Sequence, residues 1–153
     1  MSPLSKRVAI ALIVLASAVL AGCGGGGDSD TPTKAAFIKQ ADAVCKQADE
    51  EQTEALEKLA AKKGSLAKLS TAEQQNLAVE LGLPPVQKEA EELTELTPPS
   101  GDESKVEAFI GAIEEASKKA EADPSLLTAG AGPFGKADQL GKSYGFEACA
   151  ESS

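Results

Sequence analysis

Apolar residues recur every three or four positions over most of the chain after Thr31, and this spacing predicts amphipathic helices. The first helix is expected to start at Thr31-Pro32-Thr33, where either threonine can serve as the N-cap. It is expected to end at Lys62-Lys63-Gly64, where two cations precede a glycine. Its apolar stripe consists of Phe37, Ala41, Val44, Cys45, Ala48, Ala55, Leu56 and Leu59.

Two further helices are predicted in the middle of the chain. A capping box at Ser70–Glu73 starts the second helix. The run Gly82-Leu83-Pro84-Pro85 is expected to break it, because proline lacks the backbone donor and disfavours helical geometry in the residue before it. The third helix then runs from about Pro85 to the loop Thr97–Gly101. The inward positions expected for these two helices are Leu77, Ala78 and Leu81, and then Val86, Ala90, Leu93 and Leu96.

The fourth helix begins with another capping-box spacing at Ser100–Glu103 and stops before Asp123-Pro124. Its buried stripe is Val106, Phe109, Ile110, Ile113, Ala116 and Ala120.

The last segment is predicted to contain a loop at Gly130–Gly132 and a final helix from Pro133 to Tyr144. Gly145 caps that helix and Phe146 packs back on it. No stretch alternates between apolar and polar residues as a half-buried strand does. The fold expected for residues 32–153 is therefore all-α, a bundle of four to five helices with up-and-down neighbours.

The N-terminal segment has the sequence features of an export signal. Lys6 and Arg7 precede fourteen uncharged, almost wholly apolar residues from Val8 to Ala21. A helix of that length rises ~21 Å, which is short of the ~30 Å hydrocarbon core of a bilayer. A signal-peptide apolar region is therefore favoured over a membrane-spanning helix.

The stretch Leu20-Ala21-Gly22-Cys23 follows directly and resembles a bacterial lipobox. The resemblance implies that a diacylglycerol is attached to the Cys23 thiol and that a signal peptidase cuts between Gly22 and Cys23. The alternative is an ordinary secreted protein with a chance cysteine at the cut site. Under the lipobox reading, residues 1–22 are the signal peptide, residues 23–31 are the lipidated cysteine and a flexible linker, and lipid anchors the protein to the extracytoplasmic side of the cell membrane.

The net charge of the chain excludes one class of partner. The formal net charge is −9, and removal of Lys6 and Arg7 with the signal peptide leaves −11. Such a domain is not expected to bind nucleic acid, whose phosphates would repel it. The lipid on Cys23 is therefore the expected contact with the membrane, and an envelope protein or other envelope component is the expected partner.

The residue inventory argues against an enzyme. The sequence contains no histidine and no tryptophan, and its only arginine is Arg7. The mature domain thus keeps few of the residue types that most often act as general bases or metal ligands, and we predict no catalytic residue, cofactor or metal. A cluster of acidic residues before the Thr97–Gly101 loop could coordinate calcium, but its position on a predicted helix is more typical of a solvated helix face. These residues are Glu89, Glu91, Glu92 and Glu95.

Two cysteines remain once Cys23 carries lipid. Cys45 and Cys149 form an even pair in an oxidising compartment, which favours a disulfide between them. Two free thiols or a metal pair are the alternatives.

The segment Gly130–Cys149 is also the best candidate for partner binding, because it joins glycine-rich loops to Phe134, Tyr144 and Phe146. These aromatic residues could instead close the end of the bundle around the disulfide.

The region after Cys23 resembles a group of small helical lipoproteins and secreted proteins of actinobacteria, to which no activity is attached. The resemblance rests on Phe37–Cys45, Leu93–Pro99 and Tyr144–Cys149. The function expected is a lipid-anchored, non-enzymatic binding domain. The alternatives are a lipoprotein that binds a small molecule or metal for a transporter, and a structural spacer of the envelope.

Overall fold

The computed structural model describes residues 31–64, 68–128 and 132–150. Helices make up most of these residues and no strand occurs among them, so the all-α bundle is confirmed. The expected signal peptide (residues 1–22), Cys23 and the expected linker up to Asp30 lie outside the described residues, as do Gly130 and Ala131 of the expected loop. Along the described ranges, no helix combines the length and apolar character needed to cross a bilayer. The helices are α1 (Lys34–Lys63), α2 (Thr71–Leu77), α3 (Leu83–Glu95), α4 (Glu103–Ala122) and α5 (Gly135–Tyr144).

Helix α1 begins and ends where the sequence predicts. Thr33, rather than Thr31, is the N-cap, and its hydroxyl accepts the N–H of Ala36 at 3.2 Å. Gly64 ends the helix with a φ of 78°, which favours glycine. The buried stripe runs along the N-terminal half of α1 through Phe37, Ala41, Cys45 and Ala48.

The expected burial of Leu56 is wrong, because its side chain is 41 % exposed. Leu56 lines a cavity of about 140 Å³ between α1 and the region of α2, together with Leu59, Leu69, Gln74, Leu77 and Ala78. The neighbouring segment therefore does not close over the Leu56 side chain.

The expected break between the second and third helices is also wrong. A π-helical turn, Ala78–Gly82, joins α2 directly to α3. Pro84 and Pro85 follow this π turn, so their missing N–H groups fall where the regular α-helical hydrogen bonds are already interrupted. The amide of Gln52 on α1 donates to the carbonyl oxygen of Gly82 at 3.4 Å and ties this turn to the bundle.

The start of α4 is at the expected place, but the expected capping box does not form. Asp102 is the N-cap, and its side chain does not cap the helix. Its carboxylate instead pairs with Lys105 and accepts the hydroxyl of Tyr144. The Glu103 carboxylate accepts the N–H of Gly101 at 2.7 Å. The predicted stripe of α4 is buried in full, from Val106 to Ala120.

The core of the bundle combines alanines with one aromatic cluster. Buried alanines on α1, α3, α4 and α5 allow these helices to approach closely. The rings of Phe37, Phe109, Tyr144 and Phe146 meet with centroid distances of 4.8–6.2 Å, and each such contact stabilises a fold by ~1 kcal/mol beyond burial. Helix α5 starts at Gly135, two residues later than expected, and ends at Gly145 with a φ of 106°.

Candidate functional site

The three aromatic residues predicted to bind a partner all lie in the core. Phe134, Tyr144 and Phe146 are buried, and the structure brings Tyr144 and Phe146 together at 4.8 Å between ring centroids. Burial, with a smaller effect of its hydrogen bond to Asp102, raises the pKa of Tyr144 to about 12. Their packing accords with the alternative of a closed bundle end, and partner binding by these residues stays a prediction.

The predicted Cys45–Cys149 disulfide is present in the structure. It joins α1 to the segment after α5 across 104 positions of sequence. The carboxylate of Asp42, three residues before Cys45, accepts the backbone N–H groups of Glu147, Ala148 and Cys149 at 2.9–3.2 Å. A covalent bond and a charged acceptor thus hold the same short segment against α1.

The expected exposure of one acidic residue, Glu89, is wrong. Glu89 is only 4 % exposed, whereas Glu91 and Glu95 remain exposed. Burial, together with repulsion by Asp49, raises the pKa of Glu89 to about 7. The sequence did contain the signal, since Glu89 follows Val86 by three positions and precedes Leu93 by four, which places it on the inward stripe of α3.

Glu89 lies beside the disulfide. One of its carboxylate oxygens and the sulfurs of Cys45 and Cys149 lie within 4.8 Å of one another. Thiolates are the sulfur ligands of metals, and two sulfurs bonded to each other offer none. This cluster therefore presents a single carboxylate, and we assign it no metal-binding role.

A groove runs along the outer side of the packed pair α3 and α4. It consists of two adjoining cavities of about 320 and 420 Å³, and Glu114 lines both. We call it the α3–α4 groove. Both volumes fall within the range of ligand-binding clefts. The first cavity is lined by Gln87, Ala90, Glu91, Glu114, Ser117 and Lys118, and the second by Leu93, Thr94, Leu96, Pro98, Glu103, Val106, Glu107, Ile110, Gly111 and Glu114.

The α3–α4 groove has an apolar floor and an acidic rim. Leu93, Val106 and Ile110 contribute to the floor. The rim carries four carboxylates against one ammonium, that of Lys118, which lies 3.7 Å from the carboxylate of Glu114. The carboxylates are exposed and belong to Glu91, Glu103, Glu107 and Glu114.

At two positions of the groove, packing within the bundle does not explain why the residue is a serine or a glycine. Ser117 is 2 % exposed, and its hydroxyl has no hydrogen-bond partner in the described part of the chain. Gly111 lies in the middle of α4, and a Cβ built on it would meet nothing within 4 Å. Sequence reasoning missed both residues, because a hydroxyl without a partner and open space over a glycine become visible only once α3 and α4 are packed.

Comparison of the chain with protein-family models, with curated proteins and with solved structures finds no match.

Proposed function

We propose that this protein is a lipoprotein, anchored by Cys23 to the extracytoplasmic side of the cell membrane, and that its helical domain binds a partner without catalysing a reaction. The α3–α4 groove is the proposed binding surface. The partner is a protein or another component of the cell envelope.

The anchoring part of the proposal is supported by sequence and by chemistry. The lipobox-like stretch Leu20–Cys23 follows an apolar run that is too short to span a bilayer. Of the three cysteines, the two others are bonded to each other in the structure. A stable disulfide suits a protein that resides outside the reducing cytoplasm.

The binding part of the proposal depends on the α3–α4 groove. Leu93, Val106 and Ile110 at the floor of this groove are themselves buried in the bundle. The groove offers a partner the half-buried side chains of Leu96 and Pro98, beside the exposed carboxylates of the rim. The sequence has no histidine, and the groove offers carboxylates, the ammonium of Lys118, the amide of Gln87 and the hydroxyls of Thr94 and Ser117. Such a set can orient a bound group, but it lacks the base that usually activates a serine.

Metabolic labelling with an alkyne-bearing fatty acid tests the anchoring in the native host. Wild-type protein and the double variant Cys45→Ala/Cys149→Ala, which retains Cys23, should both be labelled and should sediment with membranes. Cys23→Ser should be unlabelled. Unlabelled wild-type protein in a soluble fraction would overturn the proposal.

A further inference from the structure

We infer that the α3–α4 groove receives a cationic amphipathic helix of a partner protein, with apolar side chains on the groove floor and lysines or arginines against the rim. This inference rests on the proposed binding function and specifies the chemistry of the partner. Three independent features of the groove support it: its charge, its length and the pair Gly111 and Ser117.

Charge complementarity selects a cationic partner. The rim presents four carboxylates against the one ammonium of Lys118, and Lys118 is itself paired with Glu114. The whole chain carries −9, so the field around the domain has the same sign as the rim. A basic segment is attracted at long range and then aligned by the rim, whereas an acidic segment is repelled.

The length of the groove fits a helix of about four turns. Glu103, Glu107, Gly111, Glu114 and Lys118 follow one another at spacings of three or four residues and therefore share one side of α4. From the first to the last, α4 rises ~22 Å. Two cavities in line along this distance suit apolar side chains that repeat along one face of a docked helix.

Gly111 allows the close approach that such a partner needs. Glycine in the interior of a helix weakens that helix relative to alanine. Nothing within 4 Å of its missing Cβ requires a glycine here. Because Gly111 lies on the groove side of α4, its open position lets a second backbone come close to α4.

Ser117 supplies a polar contact inside the groove. Its hydroxyl is buried without a hydrogen-bond partner among the described residues, and a buried unpaired hydroxyl is unfavourable. An ammonium group of the partner that enters this cavity would lie near the carboxylates of Glu91 and Glu114, and a small displacement of the side chains that cover Ser117 would let it donate to the Ser117 oxygen.

The test measures binding of synthetic peptides to the mature protein purified in a non-ionic detergent. The probe is a fluorescent amphipathic peptide of leucine and lysine. A peptide of the same composition in scrambled order, which has no apolar face, and a leucine–glutamate peptide are the controls. The ordered leucine–lysine peptide should bind about tenfold or more tightly than either control, and more weakly as salt rises.

Matched charge variants locate the binding surface. The triple variant Glu103→Gln/Glu107→Gln/Glu114→Gln should weaken binding of the leucine–lysine peptide by about tenfold. The matched control, Glu50→Gln/Glu54→Gln/Glu57→Gln, removes the same number of exposed charges from α1 and should leave the affinity within about twofold. An equal loss in both variants would overturn the inference, since it would show attraction to the net charge alone.

Gly111→Leu is a second, charge-neutral test. The added side chain points into open space, so the variant should keep the helical circular dichroism of the wild type and melt at the same or a higher temperature, because leucine favours a helix more than glycine does. It should nevertheless weaken binding of the leucine–lysine peptide by about tenfold, because the leucine side chain fills the groove. Unchanged affinity in folded Gly111→Leu, or equal affinity for the scrambled peptide, would overturn the inference while leaving membrane anchoring by Cys23 intact.

Discussion

Asp42 accepts the backbone N–H of Cys149 at 3.2 Å, and Cys149 is bonded to Cys45 less than one helical turn further along α1. The same carboxylate also accepts the N–H groups of Glu147 and Ala148. These donors follow α5 in a segment without regular helix, where backbone groups have no helical acceptor. Asp42 therefore supplies the acceptor that lets the chain end its last helix and return to α1.

Replacement of Asp42 should destabilise the domain through these lost hydrogen bonds. Asp42→Ala is expected to lower the free energy of unfolding by about 2 kcal/mol, because hydrogen bonds to a charged group are among the stronger ones. Asp42→Asn keeps an acceptor oxygen and should lose less. Chemical denaturation of the two variants checks this, and equal losses would show that the carbonyl oxygen of asparagine does not replace the carboxylate.

Removal of the disulfide should have a larger effect. The bond closes a loop of about a hundred residues, for which the chain-entropy relation gives ~4.7 kcal/mol. Cys45→Ala/Cys149→Ala should lower the unfolding free energy by a similar amount in urea titrations. Wild-type protein treated with a thiol reductant after unfolding serves as the control and should match the variant. A variant as stable as the oxidised wild type would contradict this role.

Stability should fall as pH rises through the range in which Glu89 ionises. The pKa of Glu89 in the fold is about 7, against an ordinary value of 4.5 for a glutamate. Between these values the unfolded chain releases a proton that the folded chain retains, so the unfolded state gains stability. The loss is fully developed above pH 7 and is on the order of 3 kcal/mol.

Glu89→Gln should remove this loss, because glutamine stays neutral beside the disulfide. The variant is expected to unfold with a weaker pH dependence between pH 4.5 and 7 and to exceed the wild type in stability at neutral pH. Glu91→Gln on the exposed side of α3 is the control for the removal of one negative charge. Parallel pH profiles for wild type and Glu89→Gln in thermal denaturation would refute the buried-carboxyl account.

Two helical glycines should respond in opposite directions to alanine. Gly111→Ala should raise the free energy of unfolding by about 1 kcal/mol, since the methyl group meets nothing and glycine weakens a helix. At Gly141 a Cβ would lie 3.2 Å from a ring carbon of buried Phe109 and 3.6 Å from Ala150. Gly141→Ala should therefore lower the unfolding free energy by about 1 kcal/mol through overpacking. Thermal melts of both variants compare these signs, and a stabilised Gly141→Ala would contradict the close packing of α5 on α4.

The features that local sequence determines were predictable. Ser70 and Glu73 form the expected capping box, and Gly64 and Gly145 end their helices as expected. The apolar spacing in α4 identified its buried side, because that helix is covered along most of its length. The pairing of Cys45 with Cys149 followed from the count of cysteines.

The features that depend on neighbouring helices were not predictable. The break expected at Gly82–Pro85 does not occur, because the π turn Ala78–Gly82 connects the two helices and the prolines follow it where regular α-helical hydrogen bonds are already interrupted. Gln52 of α1 supports this turn from outside. The exposure of Leu56 depends on the cavity that it lines between α1 and the region of α2, whereas the inward position of Glu89 follows from the spacing within α3. The α3–α4 groove exists only between packed helices, so periodicity within α4 could mark its acids as exposed but could not reveal the open space over Gly111.

Mass spectrometry of the N-terminal peptide, from protein isolated out of the membranes of its own host, tests the central claim most directly. The account predicts a peptide that begins at Cys23 and carries a diacylglyceryl group on sulfur. A peptide that still contains residues before Cys23, with an unmodified thiol at that position, would contradict the account.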